Sequence, residues 1–410
     1  MNEAPSRRIV VVGGGPAGVF AAIEAKRKDP AAEVLLLTDE ACEPYEKPPL
    51  SKAVLAGNVL PEHALIAGPQ GAAAHKLVLE LSAHCVAVDR TARVVITASG
   101  RRYSYDALVL ATGSVVRQLP GWPLGMPGVY YLRSESDARG LTSALRQSKR
   151  LVVIGGGLIG LEVAASAAEL GVQTAVLEIA PRILARVCDE EIAAFIADEH
   201  RRHGVEIHSG VTVARVQSAG AGIEITTSEG HKLNADTVVV GTGVKPNDSL
   251  AAAAGLAVND GIIVDEQCRT SDPAIFAAGD VVRFPAAHGI VRLENWRHAQ
   301  EHGAVAGRNA AGAQDVYRAV PSFWSEQYDL YIQGVGWPFL VGATRVTRAT
   351  PAHCPLIFEV AGGLLTYAMG INAQRDLAAV RRLMERRVPV DAAALSDPSR
   401  PLAAMLKAPA

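Results

Sequence analysis

The chain has 410 residues, which exceeds the usual size of one hydrophobic core and predicts two or three domains. Hydrophobic residues make up 49% of it and aromatic residues 5%, a composition typical of a globular α/β enzyme. A net charge of -2 excludes a general attraction to nucleic acid or anionic lipid. No apolar segment reaches the length of about 18 residues that spans a bilayer, and none fits a signal peptide. We therefore expect a cytoplasmic protein without membrane contact.

Two glycine fingerprints follow short apolar strands, IVVVGGGPAG at residues 9–18 and LVVIGGGLIG at residues 151–160. The Ala-rich segments after them have the pattern of helices, so each copy predicts a βαβ unit. In such a unit the first glycine permits a tight turn, the second lets the backbone approach a pyrophosphate, and the third packs helix against strand. A glycine-rich turn without a ligand is the alternative for either copy alone. Two copies with correct flanks favour a protein that holds two dinucleotides.

The residue that ends the second strand differs between the two copies. In the first unit Thr38 stands where a carboxylate usually meets the ribose, so the adjacent Asp39 is predicted to make that contact. In the second unit Glu178 ends the strand TAVLE, where a carboxylate is predicted to accept hydrogen bonds from the ribose hydroxyls of NADH. The same carboxylate would repel the 2′-phosphate of NADPH. Arg182 and Arg186 keep NADPH open as the alternative.

The segments between the fingerprints and beyond them extend this repeat. CEPYEKPPLSK, at residues 42–52, contains prolines that exclude a regular helix and predict a fixed extended loop carrying Lys52. Two further segments share one pattern, an Asp, a buried strand and then a Thr-Gly pair: YDALVLATGS at residues 105–114 and NADTVVVGTGVKPN at residues 234–247. The repeat therefore covers whole domains. The strand in RTSDPAIFAAGDV ends at Gly279 and Asp280, where a carboxylate suits a polyol or caps a following helix. From Pro321 onward, aromatic-rich strands and a helix through Arg381 to Arg387 predict a further domain.

Three kinds of side chain carry the candidate chemistry. Lys52 follows a rigid Pro-Pro-Leu-Ser run, and Glu162 is predicted in the first turn of the second fingerprint's helix, so they can form an ion pair near the reacting rings. A solvated charge is the alternative for each. Trp296 and Trp324 stand among polar neighbours and are interpreted either as core or as contacts to an isoalloxazine ring or an electron path. Five cysteines without short spacing exclude a zinc ribbon, a bound iron-sulfur cluster and a redox disulfide, so no metal site is predicted.

The order and spacing of these motifs resemble the FAD-dependent ferredoxin reductases of oxygenase systems, the family of putidaredoxin reductase and biphenyl dioxygenase ferredoxin reductase. The segments that carry the resemblance cover nearly the whole chain: GGGPAG, EPYEKPPLSK, YDALVLATGS, GGGLIGLEVAA, VLEIAPRILARV, RTSDPAIFAAGDV, RLENWRHAQ, FWSEQYDLYIQ and DAAALSDPSRPL. The fold class that follows is α/β, with two Rossmann-like dinucleotide-binding domains as in glutathione reductase and an α+β C-terminal domain. The resemblance implies an FAD domain at residues 1–115 and 245–320, an inserted NAD domain at 116–244 and a C-terminal domain at 321–410.

The resemblance also implies roles for individual residues. Lys52, Glu162 and Trp324 would be the catalytic residues, with Trp324 on the side of the ring system that faces the partner. Residues that would contact FAD or NADH are Gly13, Gly14, Gly15, Pro16, Ala17, Gly18, Asp39, Lys47, Lys52, Val86, Ala111, Thr112, Gly113, Arg133, Gly155, Gly157, Leu158, Ile159, Gly160, Glu178, Gly243, Gly279, Asp280, Glu294, Asn295, Trp296 and Trp324. Lys47 stands where the family usually has arginine, and Leu158 replaces a tyrosine found in part of it.

The implied reaction is hydride transfer from NADH to the flavin and then single-electron transfer to a 2Fe-2S ferredoxin, which serves a cytochrome P450 or Rieske oxygenase. A monomer or homodimer is expected. Acidic ferredoxins predict a basic docking patch, for which the candidates are Arg375, Arg381, Arg382, Arg386 and Arg387; a solvated helix face is the alternative for these arginines. The alternatives are an NADH oxidase or nitrite reductase component and an NADH-responsive interaction protein like apoptosis-inducing factor. A disulfide reductase is disfavoured because it needs a close cysteine pair.

Overall fold

The computed structural model describes residues 6–219, 222–286, 289–318, 320–350 and 354–407. Residues 1–5, where we expect no targeting signal, lie outside these ranges. Backbone contacts divide the chain into two units, the first formed by Met1–Pro48, Val59–Val115 and Val244–Ala319, the second by Pro49–Asn58, Val116–Gly243 and Val320–Ala410. Within the described ranges, no helix is both long and apolar enough to cross a bilayer. The three predicted domain boundaries stay a prediction, and residues 49–58 group with the second unit.

The first unit is built around a five-stranded parallel sheet with the first fingerprint strand at its centre. The strands run in the spatial order Ile275–Ala277, Ala107–Leu110, Arg8–Val12, Glu33–Leu37 and Val78–Glu80. The four strands other than the partly exposed edge strand Val78–Glu80 are almost fully buried, as strands of a parallel sheet covered on both faces must be. The helices of this unit are Pro16–Lys28, Ser249–Ala253 and Trp296–Ala310, with short 3-10 turns at Pro61–His63, Ala72–His75 and Gly279–Val281.

The second unit repeats this sheet. Its parallel strands run in the order Glu206–Ser209, Gln173–Glu178, Arg150–Ile154, Thr237–Val240 and Val129–Tyr130. The second fingerprint strand is again central, flanked by the strand that follows it in the βαβ unit and by the strand of NADTVVVGTG. The helices are Glu135–Leu145, Leu158–Glu169, Glu190–Arg202, Gln374–Glu385 and Ala392–Ser396, with 3-10 turns at Pro48–Ser51 and Leu402–Lys407.

A three-stranded antiparallel meander precedes the Thr-Gly strand in both units, so the predicted repeat of whole domains is confirmed. In the first unit the meander is Cys85–Asp89, Val94–Thr97 and Arg102–Ser104. In the second it is Val213–Ala219, Gly222–Thr227 and Lys232–Ala235. Smaller sheets join Ser114–Val116 to Val244–Pro246, and Ile262–Ile263 to Val282–Ala286 and Gly289–Val291.

The C-terminal part of the second unit has a different architecture, as the change to aromatic-rich strands predicts. Five antiparallel strands run in the order Ser322–Gln327, Leu330–Gly336, Leu364–Ile371, Leu356–Ala361 and Thr344–Arg348. The amphipathic helix Gln374–Glu385 covers the sheet with its buried Leu377, Val380 and Leu383. The helix ends at Glu385 instead of continuing to Arg387, because Arg387 adopts a positive φ of 51° that no α-helix accommodates.

Candidate functional site

The first fingerprint brings strand and helix together by contacts that only glycine allows. Gly13 has a φ of +118°, and a Cβ atom there would lie 2.1 Å from the carbonyl oxygen of Ala111. A Cβ atom on Gly18 would lie 1.8 Å from the carbonyl oxygen of Gly13, so the helix rests directly on the turn. These two glycines are therefore required by packing, whether or not a ligand is present.

Gly15 differs from its neighbours, because a Cβ atom there would meet nothing within 4 Å. It is the N-cap of the helix Pro16–Lys28, no side chain caps that end, and no acidic residue lies in the first turn. The free N–H groups and the positive end of the helix dipole thus face open space. This combination suits the diphosphate of a dinucleotide.

The second fingerprint has the same stereochemistry. Gly155 has a φ of +109°, with a virtual Cβ 2.5 Å from the carbonyl oxygen of Gly241, and a Cβ on Gly160 would lie 2.1 Å from that of Gly155. Gly157 is the uncapped N-cap of Leu158–Glu169 and has open space around it. Leu158 and Ile159 begin that helix, and the Ile159 side chain is exposed. Both copies thus fit a dinucleotide by the same test.

We call the glycine turns and helix N-termini at residues 13–18 and 155–160 the first and second cradle. The residue at the end of the neighbouring strand differs chemically between them. The N–H groups of Gly13 and Gly155 donate to Leu37 and Leu177, so Thr38 and Glu178 occupy equivalent positions. The hydroxyl and Cβ of Thr38 are the atoms closest to a virtual Cβ on Gly14, and the side chain is buried.

Glu178 ends its strand with a carboxylate that is already oriented by the backbone. One oxygen accepts the N–H of Gly156 at 2.6 Å, and the other accepts that of Ala180 at 2.7 Å. Arg182, named above as a possible phosphate ligand, donates to the carbonyl of Ile183 at 3.4 Å.

Residues predicted around the first cradle are found in the same unit but make unequal contacts. The Asp39 side chain is 65% exposed, with a carboxylate oxygen 4.0 Å from His84 Nδ1, and Val86 is exposed on its strand. Lys47 forms an ion pair with Glu40 at 3.0 Å and lies 4.7 Å above the Tyr45 ring.

The strand-end turns predicted from the Thr-Gly pairs lie as expected at the carboxyl ends of parallel strands. Ala111 donates to Val12, the Thr112 hydroxyl donates to the carbonyl of Asn247 at 2.7 Å, and Gly113 has a φ of +65°. Gly243 in the second unit has a φ of +98°. Arg133, also in the second unit, donates its backbone N–H to Asp137 just before the helix Glu135–Leu145.

Asp280 lies in the 3-10 turn Gly279–Val281, which continues into a strand, so the alternative role as the cap of a following helix is wrong. Ser114 Oγ lies 3.3 Å from an Asp280 carboxylate oxygen and donates to it. Gly279 has a φ of +82°, and a Cβ there would lie 2.7 Å from that of Ala17 on the first fingerprint helix. The structure therefore brings Asp280 to the first cradle.

Trp296 begins the helix Trp296–Ala310, directly after the predicted Glu294 and Asn295. Asn295 is the N-cap and accepts the N–H of His298 at 2.8 Å, while Glu294 pairs with Arg292. The Trp296 indole donates to Glu46, and its ring meets Phe20 edge-on at 6.1 Å. Burial raises the pKa of the Glu46 carboxyl, and the indole hydrogen bond opposes that change.

Lys52 and Glu162, predicted as an ion pair, are paired in the second unit at 3.1 Å. Their side chains are 17% and 6% exposed, so neither is a solvated charge. Glu162 is the fifth residue of the helix Leu158–Glu169 and begins its second turn; its prediction in the first turn was wrong because the helix starts only after the cap at Gly157. Trp324 lies on the strand Ser322–Gln327, opposite Gln333.

Sequence reasoning missed the polar residues that surround this pair. The hydroxyl of Ser51 donates to the same Glu162 oxygen as Lys52, and that of Ser325 donates to the other oxygen at 2.6 Å. Ser166 lies one turn further along the helix, and its hydroxyl donates a hydrogen bond to the backbone carbonyl oxygen of Ser51 at 3.0 Å. The alternation of Ser325 and Gln327 within the segment FWSEQYDLYIQ is a sequence signal that could have found this cluster.

Two fully buried histidines beside Gly279 were also missed. Gly279 N–H donates to Nδ1 of His302 at 3.3 Å, and Nε2 of that ring lies 3.3 Å from the Cys268 sulfur. His298 stacks on Phe284 with ring centroids 4.9 Å apart and bonds Tyr317 at 2.8 Å. Burial lowers the pKa of His298 to about 3 and that of His302 well below its usual value, so both rings are neutral at pH 7.

The five cysteines are Cys42, Cys85, Cys188, Cys268 and Cys354, and all are free thiols. Burial raises the pKa of the Cys85 thiol to about 12, and burial also raises that of Cys42. Such thiols are poor nucleophiles at neutral pH. Within the described residues, no group of three His, Cys, Asp or Glu side chains could hold a metal ion.

Two glycine cradles in two copies of one parallel α/β sheet define an oxidoreductase of the two-dinucleotide class. The profile of the pyridine nucleotide-disulphide oxidoreductase family matches residues 7–303, and that of the reductase C-terminal family matches residues 322–406. The chain belongs to the pyridine nucleotide-disulphide oxidoreductases, in the branch formed by ferredoxin reductases. It is accordingly an FAD-dependent oxidoreductase that uses NADH, and the predicted family, fold class and cofactors are confirmed.

The similar proteins match over nearly their full length. The ferredoxin–NAD(+) reductase component of the anthranilate 1,2-dioxygenase system of Burkholderia cepacia is 38% identical, with 95% of this chain and 97% of that protein covered. Putidaredoxin reductase CamA of Pseudomonas putida is 34% identical, with 98% and 97% covered. The crystal structure of a covalent putidaredoxin reductase–putidaredoxin complex matches with a TM-score of 0.91 and 33% identity, covering 99% of both chains.

The two kinds of glycine in one fingerprint predict two kinds of variant. Gly157→Ala adds a methyl group in open space at a φ of -82°, so we expect an unchanged melting temperature and a raised KM for NADH. Gly160→Ala drives a methyl group into the carbonyl of Gly155 and should destabilise the protein by about 3 kcal/mol. Thermal unfolding and NADH kinetics measure both. Equal losses of stability in the two variants would contradict this division.

The buried histidines predict a loss of stability in acid. Their pKa values are lower in the folded protein than in the unfolded chain, so the unfolded chain binds more protons below pH 6.5. The free energy of unfolding should therefore fall as the pH drops below 6.5, by at most about 1.4 kcal/mol per pH unit for each proton that only the unfolded chain binds. His302→Gln keeps an acceptor for Gly279 without the titrating ring and should flatten this slope in urea titrations. His231→Gln, at an exposed position, is the control and should leave the slope unchanged.

Proposed function

We propose that the protein is the NADH-dependent ferredoxin reductase of an oxygenase system. One observation carries the proposal: the chain has two stereochemically equivalent glycine turns at helix N-termini, and the strand end beside the second carries a carboxylate, Glu178, where the first has Thr38. One similar protein is named the ferredoxin–NAD(+) reductase component of a dioxygenase system, and two others are named putidaredoxin reductases, which supports a 2Fe-2S ferredoxin as the acceptor. When bound, FAD takes up two electrons from the nicotinamide and releases them singly.

In this proposal the first cradle holds FAD. The free helix terminus at Gly15 binds the diphosphate, and Asp280, oriented by the Ser114 hydroxyl, accepts hydrogen bonds from the polyol chain. Asp39 remains the proposed ribose ligand. The remaining proposed contacts are Lys47, Val86, Ala111, Thr112, Gly113, Arg133, Gly279, Glu294, Asn295 and Trp296.

The second cradle holds NADH. Its free helix terminus at Gly157 binds the diphosphate, and Glu178 accepts the ribose hydroxyls while its backbone partners keep the carboxylate in place. Lys52 and Glu162 are proposed to lie beside the reacting rings, where their buried ion pair fixes an ammonium in one position. Trp324 is proposed to cover the rings on the side of the electron acceptor.

The docking surface for an acidic ferredoxin is proposed to use arginines around the helix Gln374–Glu385. Arg375, Arg382, Arg386 and Arg387 are exposed, whereas Arg381 is mostly buried and pairs with Glu385 at 2.8 Å, so it does not suit this role. We also propose the boundaries 1–115 with 245–320, 116–244 and 321–410 for the three domains, a monomer or homodimer, and a cytoplasmic location, where NADH and oxygenase components are found together.

The proposal predicts that electron delivery depends on a ferredoxin. NADH should bleach the bound flavin rapidly, and cytochrome c reduction should become fast only when an oxygenase-type 2Fe-2S ferredoxin is added. Stopped-flow absorbance and steady-state assays with and without the ferredoxin measure this. Equal turnover without it, with oxygen as the efficient acceptor, would favour an NADH oxidase instead.

Cofactor choice should depend on Glu178. Glu178→Ala removes the carboxylate that accepts the ribose hydroxyls and repels a 2′-phosphate, so the ratio of kcat/KM for NADH over NADPH should fall about tenfold or more. Asp198→Ala, an exposed carboxylate on the helix Glu190–Arg202, is a control for net charge. An unchanged ratio in Glu178→Ala would show that the ribose is read elsewhere.

A further inference from the structure

A chain of buried side chains leads from the Lys52–Glu162 pair to the surface of the second unit. Ser325 Oγ lies 2.6 Å from Glu162, and Gln327 Nε2 lies 3.0 Å from that hydroxyl. The side-chain amide oxygen of Gln327, Oε1, lies 2.9 Å from Nε2 of His200. Nδ1 of the same His200 ring lies 3.2 Å from the Tyr328 hydroxyl. Ser325, Gln327 and His200 are almost completely buried.

The chemistry of these atoms fixes the direction of every bond in the chain. The carbonyl oxygen of Gln327 can only accept, so His200 carries its proton on Nε2 and donates it there. His200 Nδ1 is therefore an acceptor and takes the proton of the Tyr328 hydroxyl. At the other end, Ser325 accepts from the Gln327 amide, so its own proton points at the Glu162 carboxylate. All donors are thus aligned towards Glu162.

The neutral state that this alignment needs is supported by the surroundings of His200. Burial lowers its pKa to about 4, against the hydrogen bond to Gln327, and His203 adds to the decrease. The charged and titratable groups around the outer end are Glu169 and Glu199, which act on Tyr328, with Arg202 and His203 paired to Glu199. Lys52 is the charged group at the inner end.

The outer end is held in an unusual backbone conformation. Tyr328 is the first residue of a two-residue turn between the paired strands Ser322–Gln327 and Leu330–Gly336, and its φ is +56°. Glycine is the residue favoured there, and a bulky side chain costs about 1–2 kcal/mol. The His203 ring stacks on the Tyr328 ring at 3.7 Å with an interplanar angle of 9°, which holds the hydroxyl on His200.

We propose that Gln327, His200 and Tyr328 are positioning residues of the redox site, which act through Ser325 to hold Glu162 and, through it, the ammonium of Lys52. This inference rests on the proposed function, in which Lys52 and Glu162 serve the flavin. The chain fixes the Ser325 hydroxyl on one carboxylate oxygen, which leaves the other to Ser51 and Lys52. Without it, Ser325 can turn away and the carboxylate can rotate.

The test measures how firmly Lys52 is held in the full-length, flavin-loaded protein. Dilute acetic anhydride acylates the Lys52 amine at a rate that falls when the ammonium is ion-paired, and peptide mass spectrometry reports that rate at each pH. Gln327→Met removes both amide atoms at nearly constant volume. Thr174→Val is the matched control, because it removes a buried hydroxyl of the same unit, bonded to the carbonyl of Val172, outside the chain.

We expect Gln327→Met to raise the acylation rate of Lys52 about two- to tenfold, the equilibrium equivalent of one net hydrogen bond, and to shift the midpoint potential of the flavin. Tyr328→Phe keeps the ring stack and should act in the same direction but less. Glu162→Gln should act most strongly, and Thr174→Val should change neither quantity. The inference is overturned if Gln327→Met behaves like Thr174→Val while Glu162→Gln raises the rate.

Rescue by a conservative variant provides a second test that does not depend on Gln327→Met folding. His200→Gln offers an N–H donor to the Gln327 carbonyl and should keep Lys52 near its wild-type reactivity, whereas His200→Leu should raise it. Equal rates in these two variants would overturn the inference. Lys52 could respond as expected while neither Gln327→Met nor Glu162→Gln changes the midpoint potential of the flavin. The positioning role of Gln327, His200 and Tyr328 is then supported, and the proposed role of Lys52 at the flavin is wrong.

Discussion

The contact of backbone on backbone within each fingerprint is the constraint on which both units depend. In each copy the third glycine of the fingerprint, Gly18 or Gly160, lies so close to the first that a single methyl group would enter its carbonyl oxygen. The helix can therefore begin right at the carboxyl edge of the sheet, with its uncapped N–H groups facing open space. The backbone alone then offers an arrangement that suits a diphosphate, before any side chain contributes.

Because the backbone supplies the same anion site twice, the difference between the copies depends on the side chains at the rim. Thr38 fills its position with a buried hydroxyl, while Glu178 places a carboxylate that two backbone N–H groups hold. The first copy instead receives Asp280 from a distant strand, and Gly279 allows that turn to approach the fingerprint helix at Ala17. The two copies of one scaffold thus differ in the carboxylate nearest the fingerprint, and the proposed assignment of FAD to the first copy and NADH to the second rests on this difference.

Most of the fold could be predicted, because strand and helix patterns are local and the glycine spacing is specific. Lys52 and Glu162 were also predictable as a pair, since their motifs match those of a known family. What could not be predicted depends on contacts between segments far apart in sequence: Ser325 and His200 come from different elements, and the motif FWSEQYDLYIQ that contains Ser325 suggested a role for Trp324 alone. The histidines beside Gly279 were missed for the same reason, since an isolated His gives no local signal of complete burial.

The electrostatics of the second fingerprint helix explain why such a chain is useful. In the proposed NADH site its N-terminus binds a diphosphate, and Glu162 places another negative charge one turn further along the same helix. A buried carboxylate in that position is tolerable only if donors surround it. Ser51, Lys52 and Ser325 supply them, but a serine hydroxyl can rotate, so its direction must be set by a further donor. Gln327 is that donor, and His200 fixes the amide in turn. Each rotatable group in this series of hydrogen bonds needs a further partner to orient it. The series ends at Tyr328, because stacking on His203 already holds that ring in place.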